Sequence, residues 1–221
     1  KPEVIIRTYT TQCRPHVNEE LNWFRQQPTL SDAIRLASLA VNSKGKRYSH
    51  QRRLSKTVLE QAQDILLANE KQISQSTDFD DLFTLLERLL AHVKGLGELY
   101  IYDTALRIGA KLNMLPKRVY LHAGTRVGAK ALGFHGRIKT LEVSQLPEWL
   151  QQLQPHEIED VLCIFKDKLI KAREQTVSEK LIDGVGVVDK MPPNTCMHPT
   201  GFASLRSIAS RLCGAFRLKL I

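Results

Sequence analysis

The stretch Phe79-Asp80-Asp81-Leu82-Phe83-Thr84-Leu85-Leu86-Glu87-Arg88-Leu89-Leu90-Ala91-His92-Val93-Lys94-Gly95-Leu96-Gly97 decides the fold. Its apolar residues cover almost the whole circumference of a helix, a pattern that belongs in the middle of a helical core and not on its surface. Ser76 or Thr77 is expected to cap it. Two glycines separated by a leucine then stop the helix and permit a tight turn. A second helix is expected over 98–112, so the stretch reads as a helical hairpin with a very short connection.

The flanking sequence extends the same architecture in both directions. Leu54, Val58, Ala62, Ile65 and Leu66 recur at three- and four-residue spacing and predict a helix over 55–71. Thr29, with Asp32 three residues on, opens another that should end near Asn42, and 18–27 reads as a short helix. Residues 1–17, with β-branched Val4, Ile5 and Ile6 and then Pro15, read as an extended lead-in. Toward the C-terminus, Val119-Tyr120-Leu121 should be extended and 123–132 helical, closed by Gly133. Gly124 and Gly128, four residues apart, suit the close approach of another helix. Residues 134–143 read as a loop or brief strand, and a short helix surrounds Trp149. Pro155 starts a helix with acids early and Lys166, Lys168, Lys171 and Arg173 late, the order the helix dipole favours. The expectation is an all-α fold, a multi-helix domain over 18–176.

Beyond 176 the periodicity fades, and glycines and prolines break up the chain; 177–221 is expected to be an irregular, poorly ordered basic tail outside the native fold. Its segment from Pro192 to Ala203 resembles translation running past a gene's end into dispersed genomic repeats. The missing initiator Met suggests a start inside a longer reading frame.

Apolar residues at 43% and charged residues at 25% are ordinary for a folded chain. No run approaches the roughly 18 apolar residues of a membrane span, and no secretory leader is seen, so a cytoplasmic protein without a membrane partner is expected. Four scattered cysteines without a C-x-x-C pair point to free thiols, with Cys163 an inert member of an apolar helix face. The net charge of +9 invites a nucleic-acid partner, yet residues 190–221 hold five basic residues and no acid, leaving +4 for the rest. Within the domain the concentrated charge is Lys44, Lys46, Arg47, Arg52, Arg53 and Lys56, with no acid from 42 to 56.

Leu89-Leu90-Ala91-His92-Val93-Lys94-Gly95-Leu96-Gly97, followed by the Ala- and aliphatic-rich Tyr100 to Ala110, resembles the helix-hairpin-helix superfamily of DNA glycosylases. Val119-Tyr120-Leu121-His122 with Arg126 is similar to that family's Val-Asp-x-His segment and lies at the matching distance. The resemblance implies a DNA element in which Gly95, Leu96 and Gly97 bring backbone amides and a helix N-terminus to a phosphate. Lys44, Lys46, Arg47, Arg52 and Arg53 would add phosphate contacts. It does not carry over the chemistry: no Asp or Glu lies from Tyr120 to Gly124, where the family's carboxylate falls, and no Lys lies between Gly97 and Asp103.

Catalysis is therefore undefined, with Asp103, Arg107, His122 and Arg126 as the candidates for a different polar centre. Asp103 and Arg107, one helical turn apart, read first as a partly buried ion pair. No phosphate-binding loop, dinucleotide fingerprint or nucleophile elbow occurs, and His122, His135, His156 and Cys163 lack ligand spacing, so neither cofactor nor metal is expected. Three functions remain open: non-specific DNA binding, an enzyme acting on DNA or nucleotides, or a helical interaction module, which should expose an apolar patch.

Overall fold

The computed structural model describes residues 2–171, which belong to one compact unit. The expected C-terminal tail lies outside them. The unit is mostly α-helical, as its periodicity requires. In chain order the helices are α1 (Pro2–Thr8), α2 (Arg14–Arg25), α3 (Leu30–Ser38), α4 (Lys56–Ala68), α5 (Glu70–Ser74), α6 (Phe79–Leu90), α7 (Glu98–Lys111), α8 (Ala123–Ala131), α9 (Glu148–Gln151) and α10 (Pro155–Ile164). Two short strands, β1 (Val119–Tyr120) and β2 (Thr140–Leu141), pair antiparallel with Val119 opposite Leu141.

Burial is organised in two apolar clusters. The first gathers α2, α3, α4, α6 and α7 around Phe24, Ile34, Leu66, Leu86 and Ile108, all fully buried. The second joins α1, α8, α9 and α10 through Ile5, Ala129, Leu150, Ile158 and Leu162. Strand β1 and the residue after it divide their side chains between them: Val119 and Leu121 enter the second cluster and Tyr120 the first. That is the period-two alternation of a strand used to hold two cores together.

The lead-in expected to be extended over 1–17 is instead helical from residue 2 onward. β-Branched Ile5 overrides its weak helix propensity by burial in the second cluster, beside the fully buried Tyr9. Pro15 sits in the first turn of α2, where its missing N–H costs nothing. A π-widened turn at Tyr9–Cys13 precedes it.

Other boundaries moved for local reasons. The helix expected over 55–71 breaks at Asn69, whose side-chain amide donates back to the Ile65 carbonyl at 2.8 Å. α3 stops at Ser38, short of Asn42, and Ala40 takes a left-handed φ of 54°. Thr29 caps α3 as expected, accepting from the Asp32 amide at 3.1 Å. α6 is capped by Asp78 and not by Ser76 or Thr77. α10 is interrupted at Phe165, and helical backbone resumes at 166. Gly128 allows α8 to meet α10 backbone to backbone: a Cβ there would lie 2.2 Å from the Leu162 carbonyl oxygen.

His156, on the first turn of α10, is buried, and its Nδ1 has no hydrogen-bond partner among the described residues. Burial holds the imidazole below its ordinary 6.5, against the opposing pull of Asp160 and Glu157 and with the help of Arg25 and Arg14. The unfolded chain therefore binds the extra proton first as pH falls. His156 contributes stability that is complete above pH 6.5 and is lost as the pH drops below that value. We expect the melting temperature to fall between pH 7.5 and pH 5.5, and His156→Phe to reduce that fall; equal slopes in the two proteins would remove His156 as the cause.

Candidate nucleic-acid interface

The chain between α6 and α7 forms the expected tight turn. Gly95 adopts φ +97°, a left-handed conformation that side chains resist, and the Leu96 amide closes the turn on the Val93 carbonyl at 3.4 Å. Gly97 is the N-cap of α7 and has no side chain with which to cap its amides. Gly95 and Gly97 are exposed and Leu96 is half-buried. The α7 N-terminus thus meets solvent at the turn.

The basic segment is stitched to this same hairpin. Beneath the turn, a Cβ on Gly95 would lie 3.9 Å from Val58 Cγ2, in the first turn of α4. Ser55 caps α4 by accepting from the Val58 amide, so residues 52–56 lead directly into that contact. Upstream, Asn42 Oδ1 accepts from the Lys44 and Lys46 amides at 3.1 and 2.9 Å, around Gly45 at φ +68°. Arg47 Nη1 donates to the Leu54 carbonyl at 2.9 Å. Lys44, Lys46, Arg52, Arg53 and Lys56 are exposed, whereas Arg47 is half-buried.

Asp103 and Arg107 do the stitching. Asp103 Oδ2 meets His50 Nε2 at 2.6 Å and accepts from Gln51 Nε2 at 2.9 Å and Arg107 Nη2 at 3.3 Å. Arg107, nearly buried, also donates to Gln51 Oε1 and lies 3.9 Å from the centre of the Tyr48 ring. The Tyr48 hydroxyl in turn donates to Glu20 at 2.5 Å, and burial pushes it well above the ordinary phenol range. The pair anchors the turn at 48–51 on α7.

His122 and Arg126 belong to other networks, so the four candidates of a polar centre do not share one set of contacts. His122 caps α8: its amide donates to Thr125 Oγ1 at 2.7 Å, and its Nδ1 accepts from the Gly124 amide at 3.2 Å. Its Nε2 lies 2.5 Å from Glu159 Oε1, both side chains being buried. Arg126 Nη1 donates to the Leu121 carbonyl at 2.8 Å, and Nη2 pairs with Glu98.

Sequence spacing did not relate His122 to Glu159 and Cys163, yet their donor atoms lie within 4.8 Å of one another. Such a trio is a conceivable metal ligand set. The hydrogen bonds favour a different reading: with Nδ1 accepting from an amide, the proton sits on Nε2 and is donated to Glu159. A cation on Nε2 would displace that proton and leave Nδ1 facing a donor it must refuse.

A cavity of about 310 Å³ opens beside α7, lined by Asp80, Phe83, Glu87, Glu98, Tyr102, Arg118, Tyr120, His122 and Lys139 among others. The Phe83 and Tyr120 rings lie 4.6 Å apart, and Tyr102 is 5.7 Å from Tyr120. Tyr120 donates its hydroxyl to Asp80, which also binds Arg118. Burial and that carboxylate push the Tyr120 phenol well above its ordinary range. Asp80 escaped sequence reading because it resembles any acid in the first turn of a helix, and its partners Arg118 and Tyr120 lie 38 and 40 residues further on.

No family model, curated protein or solved structure matches the chain. The likeness to helix-hairpin-helix glycosylases therefore stands on its residues alone.

Glu159→Ala strands the buried Nε2–H of His122 and should cost about 3 kcal/mol in urea unfolding, with Glu159→Gln losing less because its amide oxygen still accepts. Equal stability of Glu159→Ala and the parent would mean that the pair does not form.

Proposed function

We propose that this protein binds DNA through the phosphate backbone, with little sequence preference, using the Gly95-Leu96-Gly97 turn and the basic segment 44–56. One observation carries the reading. The Asp103 network fastens the turn at 48–51, directly before Arg52 and Arg53, to α7, and Val58, in the first turn of α4 after them, lies under the Gly95 turn, where a Cβ on Gly95 would come within 3.9 Å of it. A helix N-terminus with its amides uncapped and a fixed row of exposed cations suit phosphodiester oxygens. The family resemblance points the same way. An interaction module is less well supported, because among the described residues only Val4, Val127 and Ile164 are large, apolar and exposed.

The test is binding of a labelled duplex by the full chain across a salt series, beside Gly97→Ala. A Cβ at Gly97 would meet nothing within 4 Å, so the substitution spares the fold while adding a methyl group on the solvent side of the turn, in the path of an approaching phosphate. We expect a log–log salt slope of about −3 to −5 in the parent and binding weakened about fivefold in Gly97→Ala. Unchanged affinity in the variant would assign binding to another part of the chain.

A second reading, an enzyme or binder acting on nucleotides, is favoured by the aromatic cavity. Phe83 and Tyr120 offer ring faces to a planar base, and Asp80, Thr84 and His122 offer polar groups at its edge. We expect free nucleosides to bind at millimolar concentration, with loss in Phe83→Ala; absence of binding in calorimetry would remove this reading.

A further inference from the structure

We infer that Tyr102 makes the cavity beside α7 selective for a flat, uncharged lactam ring, one that carries a carbonyl next to an N–H, with the buried Tyr102 hydroxyl donating to the carbonyl oxygen. This rests on the nucleoside reading of that cavity and narrows the ring to one class. The starting observation is a donor without an acceptor. Tyr102 is 2% exposed, and its hydroxyl has no hydrogen-bond partner among the described residues. Leaving a buried hydroxyl unsatisfied is costly, and phenylalanine would fill the same space without that cost.

The carboxylates whose charge the hydroxyl feels serve other donors: Glu159 meets His122, Asp160 accepts from Tyr9, and Asp103 accepts from Gln51 and Arg107. Burial first, and then those charges, hold the phenol far above its ordinary range, so it stays protonated and remains a donor. Its ring is also part of the aromatic wall, 5.7 Å from the Tyr120 ring, which in turn lies 4.6 Å from Phe83. These rings give a planar ligand apolar faces, and Tyr102 supplies the buried donor among them. At about 310 Å³ the cavity is at the small end for ligand sites and holds a base with its sugar.

The rest of the polar lining is weighted the other way. Glu87 and Glu98 are carboxylates, and Thr84 donates its hydroxyl hydrogen to the Asp80 carbonyl at 2.8 Å, which leaves its oxygen to accept. Glu98 and Thr84 are exposed and Tyr102 is buried, so acceptors stand toward solvent and the donor stands inside. A lactam matches both, with its carbonyl inward and its N–H outward. A ring nitrogen also accepts, but it lies within the outline of the ring, whereas a carbonyl oxygen projects about 1.2 Å beyond it, toward a hydroxyl that is itself recessed. Charge on the ligand adds nothing here, because Arg118 and Lys139 are already paired with Asp80 and Glu87.

The experiment is calorimetric titration of the full chain with inosine, adenosine and inosine 5′-monophosphate, for the parent, Tyr102→Phe and Phe83→Ala. Adenosine differs from inosine by projecting a donor where inosine projects its carbonyl. We expect the parent to bind inosine about tenfold more tightly than adenosine, and the monophosphate no more tightly than inosine. Tyr102→Phe should lose about fivefold for inosine and stay within about twofold for adenosine, whereas Phe83→Ala should weaken both alike. The melting temperature of Tyr102→Phe should equal or exceed that of the parent, since the substitution removes an unsatisfied hydroxyl; a lower one would give that hydroxyl a partner within the protein and overturn the inference. Equal affinities of the parent for inosine and adenosine would overturn it too and leave the nucleoside reading standing, as would an unchanged inosine affinity in Tyr102→Phe. Monophosphate binding tenfold tighter than inosine would overturn the uncharged class. No binding of either nucleoside by the parent would remove the nucleoside reading and the inference together.

Discussion

Tyr120 is where the two apolar clusters of the domain are joined through a single buried ring. Its ring enters the first core at 5.3 Å from Phe79 and 4.6 Å from Phe83, while the residues on either side of it enter the second core. A two-residue strand has little stability of its own, so the alternation is held by what each side chain buries. The phenol hydroxyl is the polar handle of that insertion and must be satisfied; Asp80 accepts it, and Arg118 compensates the carboxylate. The cavity beside α7 is the space left where the two cores fail to close over this handle. Its aromatic walls and polar rim are consequences of the joint.

The hairpin depends on a second constraint, the anchoring of an irregular loop. Residues 39–55 contain no α-helix, and a loop of that length needs fixed points to keep a defined course. Glu20 supplies one through Ser43 and Tyr48, and Asp103 supplies the other through His50 and Gln51. Arg107 makes the second point affordable by neutralising Asp103 in a setting with little water. The cations on this loop are thereby set on a fixed frame, which is what a backbone-binding surface needs if its contacts are to cost little entropy on association.

Much of this was legible in the sequence, and the failures have physical causes. The α6 to α7 hairpin followed from glycine chemistry and an all-round apolar helix, both local signals. The Thr29 cap and the close approach at Gly128 were local too. Residues 2–13 were misread because Ile5 and Tyr9 answer to burial against distant elements, and because Pro15 looks the same at a helix start as in an extended segment. Asp103 and Arg107 were found as a pair, but their partners His50 and Gln51 lie more than fifty residues away. Glu159 was read as dipole-matching charge at a helix start, since nothing local marks it as the partner of His122.

Charge on this unit is segregated by role, and that bears on which surface can take which ligand. The cavity beside α7 is lined by three acids, Asp80, Glu87 and Glu98, against the two cations Arg118 and Lys139. Each of those cations is paired with an acid of the lining. A phosphate entering there would have to break an existing ion pair and then face the acid it released, at a cost that burial increases. An uncharged ring would disturb neither. Outside the cavity the balance reverses, since Lys44, Lys46, Arg52 and Arg53 form no ion pair among the described residues and have no acid neighbour in sequence. The cavity is therefore suited to an uncharged planar group and the 44–56 segment to an anion, so a ligand carrying both would have to divide them between two different surfaces.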